Sequence, residues 1–94
     1  MNVDEFTAQR ADPEATALLR LRVVADADPG ALVRVLERLQ NLNVTPRRVI
    51  AEASSADRLY IEVDIVGLSE GRVSLIAAKV GQDACVYNAY WHHV

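Results

Sequence analysis

Asp28-Pro29-Gly30 lies between an alternating apolar run and a run of helical period, and it is where this sequence offers most to a ligand. Asp is a favoured N-cap, and Pro suits the first helical position, where its missing N–H would have no partner anyway. The backbone N–H groups of Gly30, Ala31 and Leu32 then precede any helical acceptor. Together with the helix dipole they suit a carboxylate. Gly30 has no side chain, so a ligand could come close to the backbone. The competing reading is a well-capped helix with no ligand, in which Asp28 itself takes one of those N–H groups.

Other constellations are weaker. Asp26 and Asp28 form a carboxylate pair, but no third carboxylate adjoins them and a hard cation wants several oxygens. Cys85 and His93 share a strand face but are eight residues apart, ~26 Å at strand rise, too far to share an ion. His92 and His93 point to opposite faces. No metal site and no cofactor are expected. Ser54, Ser55, Ser69 and Ser74 fall in turn or helix-side positions with no upstream histidine to pair them, so no catalytic set is visible and no enzyme is expected. Tyr87 and Trp91 fall on one face of the last strand, with Tyr90 on the other. An aromatic strand could stack bases, but the basic and aromatic segment that ferredoxin-like RNA binders carry is replaced here by acidic RLYIEVDIV. The loop after the first strand is acidic, where an acylphosphatase-like enzyme would need an arginine to hold phosphate.

The elements that must position these residues follow from periodicity. Residues 18–26 alternate, with Leu19, Leu21 and Val23 on one side and Arg20 and Arg22 on the other, as a half-buried strand does. A helix spans 29–41, with Leu32, Val35, Leu36, Leu39 and Leu42 on its apolar stripe. Asn43 suits a left-handed stop. A second strand covers 44–53, its Pro46 marking it as an edge. After a turn at 54–57, residues 58–66 alternate cleanly, with Leu59, Ile61, Val63 and Ile65 inward. Ser69 caps a second helix that ends before Gly81, with Val73, Ile76, Ala77 and Val80 inward. Residues 84–92 make a fourth strand. The order βαββαβ with right-handed crossovers is an α+β, ferredoxin-like plan: a four-stranded antiparallel sheet with two helices on one face. Strands one and three are then neighbours, setting Arg20 and Arg22 against Glu62 and Asp64. Each such pair stabilises a solvated face by ~0.2–1 kcal/mol.

Composition agrees with one small domain. The chain has 94 residues, of which 51% are hydrophobic, with a single Phe and a single Trp. Its core must therefore be aliphatic. A domain this size hides roughly 60–65% of its unfolded surface, so further burial in a homodimer would help it. The net charge is −3, and no basic block exceeds Arg47-Arg48, which argues against nucleic acid. A single cysteine, no signal-like N-terminus and no apolar run near the ~20 residues that span a bilayer point to a cytoplasmic protein with no membrane role. Residues 1–16 read as a flexible tail and 17–94 as the domain.

The segment VADADPGALVRVLERLQNLNV (24–44) resembles the start of an ACT domain, the small amino-acid-sensing module of biosynthetic enzymes. The acidic-Pro-Gly loop, the Leu32/Val35/Leu36 stripe and the Asn43-Val44 exit carry the resemblance, which runs from about Leu18 to Trp91. Within that family, RVLERL (34–39) and AEASSADRLYIEVDI (51–65) are similar to the short regulatory subunit of acetohydroxyacid synthase. The longer forms carry a second domain, and this sequence stops at Val94. The resemblance implies a dimer with sheets side by side, a catalytic synthase subunit as partner, and a branched-chain amino acid as ligand at the dimer interface. It places the ligand on Asp28, Pro29, Gly30 and Ala31, with Leu32 behind. Ala27 departs from the polar residue, often Asn, of valine-sensitive members, and Asp26 or Asp28 would have to accept the ligand's ammonium instead. A free-standing ACT-like amino-acid sensor with another partner is the alternative.

Overall fold

The computed structural model describes residues 17–54 and 57–94. The tail read at 1–16 and positions 55 and 56 of the turn lie outside the described residues. The elements are β1 (Leu18–Asp26), α1 (Pro29–Asn41), β2 (Arg48–Ser54), β3 (Arg58–Val66), α2 (Glu70–Gly81) and β4 (Val86–His93). All strand pairs are antiparallel, in the order β2-β3-β1-β4. This is the expected ferredoxin-like plan, with β1 and β3 central.

One sheet face supplies the core. Leu19, Leu21, Val23 and Ala25 of β1 and Ile61, Val63 and Ile65 of β3 are buried there. They pack with Ala31, Val35 and Leu39 of α1 and with Val73, Ile76, Ala77 and Val80 of α2. Burial of each large aliphatic side chain stabilises the fold by about 1.5–3 kcal/mol, so this layer dominates stability.

The α1 stripe is turned relative to the expected one. Ala31 lies on its axis and is fully buried, Leu32 and Leu42 are half-buried at its flanks, and Leu36 is 38% exposed. Small Ala31 lets the start of the helix come close to the sheet, which swings Leu36 outward.

The second strand begins at Arg48, four residues later than its apolar content suggested. Val44 belongs instead to the end of α1. Asn43 takes φ 59°, its N–H donates to the Gln40 carbonyl at 3.0 Å, and the Val44 N–H donates to the Leu39 carbonyl at 2.9 Å. This paired C-terminal closure buries Val44 over Leu39, the hydrophobic contact such a motif favours. Arg72 of α2 adds a 2.6 Å hydrogen bond to the Leu42 carbonyl. Gly81 lies inside the last turn of α2 rather than beyond it. Before β4, Asp83 accepts from the Cys85 N–H through its side chain at 3.2 Å and from the Val86 N–H through its carbonyl at 3.0 Å. That turn delays the strand to Val86.

Candidate functional site

The entry to α1 is organised by Asp28. Its backbone is extended, and its Oδ1 accepts from the Gly30 N–H at 3.1 Å. Its carbonyl accepts from the Ala31 N–H at 2.9 Å. Two of the three N–H groups that the sequence set out for a carboxylate are therefore met by Asp28 itself. Pro29 is exposed at the first helical position, Ala31 is in the core, and Leu32 packs against the core's edge. A Cβ built on Gly30 meets nothing nearer than 3.9 Å. That contact, with the Arg34 and Asp28 side chains, is an ordinary one, so the fold does not depend on glycine there.

The structure adds a cation that sequence reasoning missed. Arg34 Nη1 lies 3.8 Å from Asp28 Oδ2, and both side chains are about half exposed. The neighbouring Cys85 sulfur, with the carboxylates of Asp28 and Asp83, raises the guanidinium's pKa. Burial pushes the Cys85 thiol up. The backbone N–H of Cys85 holds the Asp83 carboxyl below the usual carboxylate range. The signal for Arg34 was weak because Asp28 and Arg34 are six apart, not at the three- or four-residue spacing of helical ion pairs. The arrangement presents one carboxylate and one guanidinium side by side at the helix entry. That is the charge pattern an α-amino acid's ammonium and carboxylate would meet.

Asp26 and Ala27 are held elsewhere. The Asp26 N–H donates to the Cys85 carbonyl at 2.8 Å, and the Ala27 N–H donates to the Asp57 carbonyl at 3.3 Å. The Asp26 carboxylate accepts from the Tyr87 hydroxyl at 2.5 Å, and this bond is the main reason the phenol's pKa is raised. Arg58 lies over the Tyr87 ring, 3.8 Å from its centre. Asp26 and Asp28 thus serve separate partners.

Tyr87 and Trp91 do not share a face. The β1–β4 register shifts between Val24 and Ala25, an irregularity that carries Tyr87 to Asp26 and Arg58. Trp91 stays on the helix side and donates its indole N–H to Ser74 Oγ at 2.8 Å. A strict two-residue alternation cannot foresee such a bulge. His92 and His93 do point apart: Arg22 Nε donates to His92 Nε2 at 2.9 Å, while His93 Nε2 lies 2.6 Å from Glu70 Oε2 on α2.

Arg20 and Arg22 do face Glu62 and Asp64 across β1 and β3, and the register puts Arg20 opposite Asp64 and Arg22 opposite Glu62. This pairing is not uniformly solvated. Asp64 is only 5% exposed, gripped by Arg20 through Nε at 2.7 Å and Nη2 at 3.2 Å. The bond to Arg20, with the nearby charges of Arg48 and Arg47, lowers the pKa of its carboxyl against the opposing effect of burial.

Strand order and helix placement define a ferredoxin-like α+β module with an open sheet face and a charged helix entry. The model of the ACT-like domain family matches residues 8–94, and the chain belongs to that family. In structure it is similar to the C-terminal domain of the MgtC protein from Mycobacterium tuberculosis, at 18% identity over 89% of this chain and 94% of that one, with a TM-score of 0.67. It is also similar to the ACT domain from GTP pyrophosphokinase of Chlorobium tepidum, at 12% identity over 81% of this chain and 97% of that one, with a TM-score of 0.70. A homoserine dehydrogenase from Thiobacillus denitrificans contains a similar unit, at 18% identity over 85% of this chain but 18% of that one, with a TM-score of 0.67. At these identities the likeness concerns the fold. No curated protein matches the chain. Among the described residues, no helix is long and apolar enough to cross a membrane.

Proposed function

We propose that residues 17–94 form a non-catalytic regulatory module that binds a small amino acid at the entry to α1, across a homodimer interface. The observation that carries this reading is the half-exposed Asp28–Arg34 pair, whose side chains lie beside Gly30. Asp28 would accept the ligand's ammonium and Arg34 would take its carboxylate, with Gly30 adding no side chain of its own between them. Asp26, Ala27, Pro29, Ala31 and Leu32 shape the loop around them. Membership of the ACT-like family supports a regulatory, ligand-binding role over an enzymatic one.

The specific partner we propose is the catalytic subunit of acetohydroxyacid synthase, with a branched-chain amino acid as effector. Support for it comes from the local likeness of 34–39 and 51–65 to that enzyme's short regulatory subunit. The test is to mix the two proteins and assay the synthase with and without valine, leucine and isoleucine. Stimulation is expected. No stimulation together with no co-elution would remove this partner and leave the free-standing sensor.

The sensing role has its own test. A ligand at ~100 times its dissociation constant stabilises the fold by ~2.7 kcal/mol, a melting shift on the order of 10 °C for a domain of this size. A panel of amino acids should contain one that gives it. Gly30→Val should abolish that shift while the unliganded melting temperature stays near the parent's, because a Cβ at Gly30 has room. An unchanged ligand response in Gly30→Val would put the ligand elsewhere.

A further inference from the structure

We propose that the sheet face turned away from the helices carries a second ligand site, for a small organic cation with an apolar body. The register sets two central rows on this face: Ile50, Glu62, Arg22 and Tyr90, then Glu52, Tyr60, Val24 and Asn88. The rows on either side are largely occupied with themselves, although Arg20 Nε also lies 3.7 Å from Glu62 Oε2 of the central rows. Arg20 is bound to Asp64 at one end, and Arg58 and Asp26 are engaged with Tyr87 at the other. Between them lies a shallow depression of about 400 Å³. Val24 and Ile50 give it an apolar part, Tyr60 and Tyr90, residues 48% and 46% exposed, contribute rings, and Glu52 and Glu62 supply carboxylates.

Charge decides the ligand's sign. Among the described residues lining the depression the one cation is Arg22, and it is already committed: Nη1 lies 2.7 Å from Glu62 Oε1 and Nε donates to His92. Glu52 forms no ion pair among the described residues. Glu62 is taken up by Arg22 and, at 3.7 Å, by Arg20, so the carboxylate left for a cation beside the two tyrosine rings is Glu52. Aromatic rings attract ammonium groups, and a neighbouring carboxylate adds to that attraction. An anion would meet two carboxylates and a guanidinium that is already paired. A compact amine with a branched aliphatic body satisfies the charge, the rings and the apolar part together. This site shares no residue with the loop at 26–32 and does not depend on it.

The test is a titration of the ¹⁵N-labelled chain, followed by amide shifts, with three probes of one carbon skeleton: isoamylamine, isoamyl alcohol and isovalerate. The amine should move Val24, Ile50, Tyr60 and Tyr90 and bind at least about fivefold more tightly than the alcohol, as a modest cation–π and carboxylate contribution dictates. Isovalerate should leave these residues unmoved. Glu52→Gln, at an exposed edge position, should keep the folded spectrum and bring the amine down to the alcohol's affinity. Equal binding of amine and alcohol, unchanged amine binding in Glu52→Gln, or amine shifts confined to residues 26–32 would each overturn the proposal. So would the absence of any shift on this face up to the amine's solubility limit.

Discussion

Leu19, Leu21 and Val23 are covered by the helices, while Arg20, Arg22 and Val24, one residue out of step on the same strand, lie on a face with no described element packed over it. The covered face is aliphatic at its centre, with Trp91 and His93 of the edge strand β4 at its margin. The open face is a lattice of paired charges with two tyrosines at its middle. The difference teaches that charge on this open face does two jobs. At one end, Arg20 and Asp64 form a nearly dry bidentate pair that belongs to the fold. At the middle, Glu52 stands at an exposed edge with no ion-pair partner among the described residues, which leaves it available to a ligand. The same residue types are structural or available according to how deeply their row is covered.

The comparison breaks most severely on the covered face. Leu21 is fully buried between β3 and the helices. Leu21→Ala should cost about 2–5 kcal/mol through lost burial and the cavity left behind. For a domain of this length that lowers the melting temperature by about 10 °C or more. A loss near that of a surface substitution, read by urea or thermal unfolding, would mean the helix layer does not close over β1 as described.

A smaller effect is expected from the covered corner of the open face. The Asp64 pKa is lowered in the folded state, first by its bond to Arg20. A depressed carboxyl contributes stability above its unfolded pKa of ~3.9, and that contribution is lost as pH falls through the folded value. The parent should therefore exceed Asp64→Asn in stability at pH 7, and the gap should narrow once the pH drops below ~4. Urea midpoints of both proteins across that range give the answer. A constant gap would mean that Asp64 acts through shape and neutral hydrogen bonding rather than through its charge.

Where these jobs fall was only partly legible in the sequence. Alternation at 18–26 and 58–66 fixes strand faces because a one-residue slip would bury charge, so Arg20, Arg22, Glu62 and Asp64 could be set on one face. A two-residue slip keeps the faces, so which arginine meets which carboxylate could not be read. Asp28, Pro29 and Ser69 mark helix starts by local chemistry that tertiary packing does not change. What could not be read depends on neighbours distant in sequence. Val44 is drawn into the α1 closure because Leu39 awaits it. Tyr87 leaves Trp91's face through a bulge that has no composition signature. Asp64 is dry because Arg20, 44 positions away, lies against it. At the candidate loop, Asp28's capping role follows from residue type, whereas Arg34's approach to it depends on how the helix turns relative to the loop.

The finest test of the two faces uses adjacent residues of one type. Val23 is 1% exposed, and Val24 is half-buried beside Tyr60 and Asn88. Val→Thr keeps the side-chain shape and exchanges a methyl for a hydroxyl. At Val23 that hydroxyl enters an aliphatic core, and the expected cost is about 1–3 kcal/mol. At Val24 the hydroxyl reaches water, and the change should stay within about 0.5 kcal/mol. Equal losses at the two positions would mean that Val24 is covered in solution. One such cover is a second copy of the chain laid on the open face. In that case the cost of Val24→Thr would grow with protein concentration, because only an associated species would bury the hydroxyl. A cost independent of concentration and confined to Val23 leaves the central depression open to the small cation its charge favours.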